Sequence, residues 1–543
     1  MSTVAWASDL PPQLTLQDVQ TIFAQAVSRA VKLAPSAVIA VTDREGFVLG
    51  VWDVAGRLGA KGDPLVEGQF SVVGGAVREA GTAAYLSSDQ NAFTSRTAQF
   101  IIQQNFPPGI MNQPPGPLVG VEFSNLPFSD VNRFKRLDKG PNGEKRGKPG
   151  AGFVKNSLGT GIPNTRLSGR SSSAPLYKNH VLVGGIGVFS ADIDSLQEVL
   201  QAEFDNSVPG QTVGERIALA GQVGYTPGGG ITADNVTING IRLPYVLGKG
   251  QARRPLPFAA LPGRPINGYS LHASPPPYPF PAQTLGGQPV EIRFPIQSDG
   301  LTGTINGQAR LTAEEVTGII DRASDRARTT RAGIRLPVGS AAQVWITVVG
   351  NPNQDGAPAP ILAVARTPGA TLFSFDVALQ KARTALFFST DQMAMSTRTV
   401  GFLAQNQYPP GLAGRAPGPL GPATFKLDGA NAVDLGQQVQ KSLPLLPLLL
   451  RAASSNAASF AAAPPNPNLP NGITVFPGGF PLYRNGQLIG AVGISGDGVD
   501  QDDLVGASAC GTEFAAPEAI RADQFTYDGA RLPYAKFPRN PEL

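Results

Sequence analysis

Few side chains of this chain are equipped for chemistry, and several of those occur twice. His180 and His272 are the only imidazoles, the groups that commonly ligate metals and act as general bases near neutral pH. Neither has a counterpart elsewhere. His180 stands at a predicted hairpin tip where the matching residue is Gly486, and His272 lies in a proline-rich stretch, so both read as solvated loop residues. If the two halves bind an iron group equivalently, the ligand is not histidine. Tyr177 and Tyr483 are the duplicated alternatives, because a tyrosinate can ligate ferric iron. An alternating strand residue with its phenol at the rim explains them as well. Asp89 with Arg96, and Asp391 with Arg398, recur at a spacing of seven, two turns of a continuous helix. Such an arginine can hold a carboxylate bidentately, while an acid at a helix start plus a structural ion pair is the plainer reading.

The remaining candidates point away from catalysis. Asp497, Asp500, Asp502 and Asp503 lack the alternating ligands and terminal glutamate of an EF-hand loop, and read as helix caps and dipole partners. No metal-ligand set is assigned. The glycines between 490 and 496 have the wrong spacing for a dinucleotide fingerprint and instead permit close backbone packing. Cys510 is the single cysteine, which excludes an intramolecular disulfide and a Cys-rich metal site; among small residues it reads as a buried, inert thiol. With no G-x-S-x-G elbow, P-loop or H-E-x-x-H helix, no catalytic residue is assigned.

Composition narrows the class further. Gly 64 and Pro 50 exceed a fifth of the 543 residues, with hydrophobics at 41% and charged residues at 15%. That describes a loop-rich globular protein of two or more domains, neither disordered nor collagenous. A net charge of +4 gives no electrostatic case for nucleic acid. The local excess of Arg133, Lys135, Arg136, Lys139, Lys145, Arg146 and Lys148 reads as a solvated loop. No apolar run is long enough to span a bilayer, since the best, residues 443 to 450, is short and broken by Pro447. The opening residues lack the basic and apolar regions of an export signal, yet Ala5-Trp6-Ala7 has the form of a cleavage site. A periplasmic or otherwise exported protein is expected, with the cytoplasm as the alternative.

The elements that must position these residues come in two sets, because the chain repeats itself about 300 residues on. The run from Ser88 to Thr97 returns from Thr390 to Thr399, Pro175-Leu176-Tyr177 returns as Pro481-Leu482-Tyr483, and Arg242-Leu243-Pro244-Tyr245 returns as Arg531-Leu532-Pro533-Tyr534. Each set opens on a Thr-capped helix, at about 16 in the first and after Thr312 in the second. In the first, a hairpin (37 to 41 and 47 to 52), helices near 75 to 86 and 95 to 105 and a late hairpin turning at Asn179-His180 follow; in the second, the late hairpin turns at Asn485-Gly486. Pro/Gly-rich insertions, about 107 to 172 and 409 to 478, interrupt each set before that late hairpin. The predicted architecture is α/β (α+β): two tandem homologous domains, 14 to 250 and 301 to 543, each a mainly antiparallel sheet flanked by helices. Residues 251 to 300 form a Pro-rich linker in extended polyproline conformation.

The second set carries a known pattern. The helix ending Lys381-Ala382-Arg383-Thr384-Ala385, followed by Gly479-Phe480-Pro481-Leu482 and the run from Asn485 to Gly496, resembles the GlcG/HbpS-like haem-binding family. Glu79-Ala80-Gly81-Thr82-Ala83 and the run from Val183 to Ser190 look like a diverged copy. The resemblance implies haem binding and self-association into a homo-oligomer, and places Thr82 and Thr384 where they can approach a ligand or simply pack. The leading expectation is therefore a non-catalytic protein, a fused pseudo-dimer, that binds haem or another small planar or carboxylated ligand. Its expected contact residues are Thr82, Arg96, Tyr177, Thr384, Arg398 and Tyr483. A structural or assembly protein with a lost pocket, and a small-molecule or haem-degrading enzyme, are the alternatives.

Overall fold

The computed structural model describes residues 12–58, 67–102, 106–107, 116–121, 167–190, 212–246, 254–266, 271–272, 282–354, 356–405, 407–412, 414–420 and 468–543. The basic cluster at 133 to 148, the apolar run at 443 to 450 and most of both insertions lie outside these residues. The chain divides into two compact units, one built mainly from residues before 279 and the other mainly from those after it.

The first unit opens with α1 (Leu16–Leu33), whose start is fixed by a capping box between Thr15 and Asp18. Its apolar face, Val19, Ile22, Phe23, Ala26, Val27 and Ala30, is fully buried. Strands β1 (Val38–Asp43) and β2 (Val48–Asp53) form an antiparallel hairpin. The Asp43 carboxylate accepts three successive backbone N–H groups in its turn. Helices α2 (Glu67–Leu86) and α3 (Ser95–Ile101) follow, then the hairpin of β3 (Ser173–Lys178) and β4 (Val181–Phe189), helix α4 (Val213–Gly221) and the two-residue strands β5 (Thr237–Ile238), β6 (Ile241–Arg242) and β7 (Arg264–Pro265). The main sheet runs β3-β4-β1-β2-β7. Alternation along β1 splits the core: Ile39 and Val41 join α1 and α4, whereas Val38 and Ala40 join α2. The result is a sheet between helical layers.

The second unit contains β8 (Ala282–Leu285), β9 (Gln288–Phe294), α5 (Ala313–Thr329), β10 (Trp345–Gly350), β11 (Ile361–Arg366), α6 (Ser374–Phe388), α7 (Thr397–Leu403), β12 (Gly479–Arg484), β13 (Gln487–Ser495), α8 (Val499–Cys510), β14 (Thr526–Tyr527) and β15 (Ala530–Arg531). Its sheet order, β12-β13-β10-β11-β9-β8, repeats the first four positions of the other sheet with equivalent strands. Helices α5 and α8 pack on one face through Val316, Ile319, Ile320, Val505 and Ala509. On the other face Trp345 meets Phe375 of α6 edge-on at 5.2 Å. Both late hairpins turn as expected, with positive φ at Asn179 and His180 and at Asn485 and Gly486.

Within the stretch expected to be an extended linker, residues 264–265, 282–285 and 288–294 are strand. Arg264 and Pro265 pair with Asp53 and Trp52, and residues 282 to 294 form a hairpin added to the second sheet. Proline is compatible here because β7 is an edge strand, where a missing N–H need not break a ladder. Gly286 and Gly287, both at positive φ, make the two-residue turn between β8 and β9.

The central helices lie unusually close to the glycine-rich strands. A Cβ on Gly187 would stand 2.2 Å from the Ala80 nitrogen, and one on Gly493 would stand 2.0 Å from the Ala378 oxygen. The glycines therefore set the distance between α2 and β4, and between α6 and β13.

Candidate functional site

The six residues singled out in the sequence occupy matching places in the two units. Tyr177 and Tyr483 are buried, not at a rim, and each phenol donates to a main-chain carbonyl at 2.7 Å, that of Ser88 in one unit and Thr390 in the other. Burial raises both phenols well above their ordinary value, against the tyrosinate needed for iron. In this structure both phenols are held in structural contacts. Each tyrosine fastens a strand to the loop that precedes a short helix. Tyr483→Phe is expected to cost about 1 kcal/mol in chemical denaturation, the net worth of one such bond.

Arg96 and Arg398 are likewise spent within the fold. Arg96 grips Glu215 of α4 with two bonds, Nε to Oε1 at 2.6 Å and a second nitrogen to Oε2 at 2.8 Å. Arg398 binds Asp503 and Asp500 of α8, the latter at 2.7 Å. The sequence-neighbour acids do something else: Asp89 accepts the N–H of Leu182 and Asp391 that of Leu488, each at 2.8 Å. Thr82 and Thr384 accept an N–H from the segment entering the late hairpin, that of Ser168 at 2.8 Å and Thr474 at 3.2 Å. The six residues are therefore distributed through two equivalent sets of internal contacts.

The polar chemistry missed by the sequence reading lies on the central helices. In α6, Asp376, Gln380, Lys381, Arg383 and Thr384 are all buried. Asn471 joins three of them: its amide donates to Asp376 Oδ1 at 2.9 Å, its side-chain oxygen accepts from Arg383 at 2.9 Å, and its carbonyl accepts from Gln380 at 2.8 Å. Lys381 reaches the other way, to Asp502 at 2.7 Å and the Ile494 carbonyl at 2.7 Å. Burial pushes Asp502 up to about 6 despite Lys381, and Asp503 up to about 6 despite Arg398. These two acids are the partners of buried cations and not helix caps, and the N-cap Gly498 has no side-chain bond to offer. The signal available in advance was the polarity of α6 itself: a helix with Asp, Gln, Lys and Arg on several faces must place some of them inside.

The comparisons bear on the same stretch. A model of the family described as haem degrading protein HbpS-like matches residues 311–510. Residues 311–510 are an HbpS-like domain. No curated protein matches the chain. Similar solved structures include a complex of PduOC with haem (19% identity, TM-score 0.21, covering 37% of this chain and 94% of that one). Others are the Klebsiella pneumoniae protein ORFY (20%, 0.22, 39% and 95%) and a double mutant of Streptomyces reticuli HbpS (17%, 0.19, 42% and 96%).

The HbpS-like domain contains no histidine. Its Tyr483 is committed to Thr390, and burial pushes the Cys510 thiol up to about 12, so it stays protonated as the inert thiol expected. Neither Tyr483 nor Cys510 thus suits the role of axial ligand to haem iron. In the first unit His180 is exposed at its turn, as expected. His272 is not solvated: it is buried, and its Nε2 donates to the Leu14 carbonyl at 2.6 Å. Among the described residues no group of three or more His, Cys, Asp or Glu is placed to hold a metal, and no helix is long and apolar enough to cross a membrane.

Proposed function

We propose that this chain is a non-catalytic ligand-binding protein, a fusion of two related HbpS-like units, that takes haem or another small planar, carboxylated molecule. The family match over residues 311–510 carries the reading. The repeated strand order and the paired tyrosine, arginine and threonine contacts support treating the first unit as a diverged relative. Because the duplicated tyrosines and Cys510 do not suit an iron-ligating role, recognition in this reading falls on the porphyrin plane and its carboxylates.

An absorbance titration with ferric haem and with iron-free protoporphyrin tests this. Saturable uptake of both is expected, unchanged by Tyr483→Phe or His180→Ala. Uptake of ferric haem alone, lost in either variant, would overturn the iron-independent reading and name the ligand. Absence of saturable uptake of either at micromolar concentration would sink the binding reading. A structural or assembly protein is the second reading, favoured by one observation: the six expected contact residues are all engaged in internal bonds. Sedimentation of the same samples separates the two, since a discrete oligomer without ligand uptake supports assembly. Loss of bound haem with time under reductant would instead indicate turnover.

A further inference from the structure

The two units hold the segment that enters their late hairpin by different chemistry. In the first, residues 167–173 are buried. Ser168 donates its N–H to Thr82 Oγ1 at 2.8 Å and its hydroxyl to Glu79 Oε1 at 2.5 Å. Arg170 from the same segment lies over the Phe189 ring at 4.2 Å. In the second unit the threonine bond is kept, from Thr474 to Thr384, but the position of Glu79 is taken by Lys381, which turns away to Asp502. The grip on the segment passes to Asn471 with Gln380 and Arg383. In the first latch the carboxyl of Glu79 bonds a side chain of the segment directly through Ser168; in the second the segment's Asn471 is held among Asp376, Gln380 and Arg383.

The groups facing Glu79 are Arg170, Ser168 and Ser172 from the incoming segment and Arg78 from its own helix. Burial pushes its carboxyl up from 4.5 to about 7, with Arg170, Ser168, Arg78 and Ser172 pulling it back part of the way. We propose that the proton on Glu79 controls how firmly residues 167–173 are latched to the first unit. A proton bound more tightly in the latched state stabilises it fully below the free carboxyl's value, and that contribution is lost as pH rises through the latched value. The latch is tightest in mild acid and loosens towards neutrality. It thereby governs the end of the first insertion where it rejoins the core, independently of what the protein binds.

Hydrogen–deuterium exchange of the full chain tests this, with rates corrected for the intrinsic pH dependence of exchange. Protection of a peptide covering 167–173 is expected to fall by more than about tenfold between pH 5 and 7 and then level off, as a single linked proton requires. Glu79→Gln should flatten that profile while leaving the peptide around Thr474 as it is in the wild type. Ser168→Ala, which removes a bond favouring the charged form, should move the fall to higher pH. An unchanged fall in Glu79→Gln, or a flat wild-type profile, would overturn the proposal. Should Glu79→Gln fail to fold, the Ser168→Ala shift decides, and its absence would count against the latch.

Discussion

Glu215→Gln is expected to destabilise the first unit by about 3 kcal/mol or more, read as a lowered midpoint in urea. Glu215 is fully buried and Arg96 is only 6% exposed, so removing the carboxylate leaves a guanidinium charge in a dry site. The glutamine is nearly isosteric and can still accept the Thr212 N–H that Glu215 Oε2 now accepts at 2.9 Å, so the helix start survives. What is lost is charge compensation. Adding Arg96→Met should recover part of the stability, because the cation that Glu215 compensated is then gone, and the double-mutant cycle isolates the coupling. If the single and double variants are equally destabilised, the pair is not compensating and the cost belongs to packing. Asp500→Asn in the second unit should cost less, about 1 kcal/mol, since that pair is more exposed and Arg398 keeps Asp503, the counterpart of Glu215.

How far the sequence reveals such a pair depends on distance along the chain. Helix starts, hairpin turns and the repeat itself rest on residues a few positions apart, and the Thr15 and Thr312 capping boxes and the Asn485-Gly486 turn stand where their spacing predicts. Arg96 was legible as a retained cation, but its partner lies 119 residues on, and spacing pointed to Asp89 instead. In the second unit the true partners, Asp500 and Asp503, read from the sequence as helix caps and dipole partners, which hides the pairing; in the first, nothing in the spacing singles out Glu215. The tyrosines show the same limit: alternation places them on the strand, yet whether a phenol faces a ligand or a carbonyl is decided by a loop 89 residues earlier in one unit and 93 in the other. His272 was read from its proline-rich neighbours as solvated, and the acceptor that orients it is 258 residues away.

The charge reversal between Glu79 and Lys381 shows why divergence did not break the fold. Each buried charge is met locally: Glu79 by Ser168 and Arg170, Lys381 by Asp502. The position equivalent to Asp502, one before the acid that binds the arginine, is Gly214 in the first unit, so the partner changed together with the charge. A buried charge survives substitution only when its surroundings change with it. The site chemistry of the two units is therefore not interchangeable even though their sheets are.

Gly493→Ala is expected to be among the most damaging single methyl additions in the second unit, costing about 3 kcal/mol. Its φ is ordinary, so the cost is not conformational. The new Cβ would stand 2.0 Å from the Ala378 oxygen and 2.6 Å from the Ala382 nitrogen, both backbone atoms of α6 that no rotamer change can move. Relief requires shifting α6 off β13, which also strains the Asn471 network and the Lys381–Asp502 pair on that helix. Gly486→Ala supplies the contrast. That residue has φ of +79 with nothing within 4 Å of its added Cβ, so only backbone strain of about 1 kcal/mol is expected. Denaturation midpoints should rank wild type above Gly486→Ala above Gly493→Ala. The reverse order would mean that α6 is free to move away from the sheet, and that the buried polar residues along it are not held in a fixed arrangement.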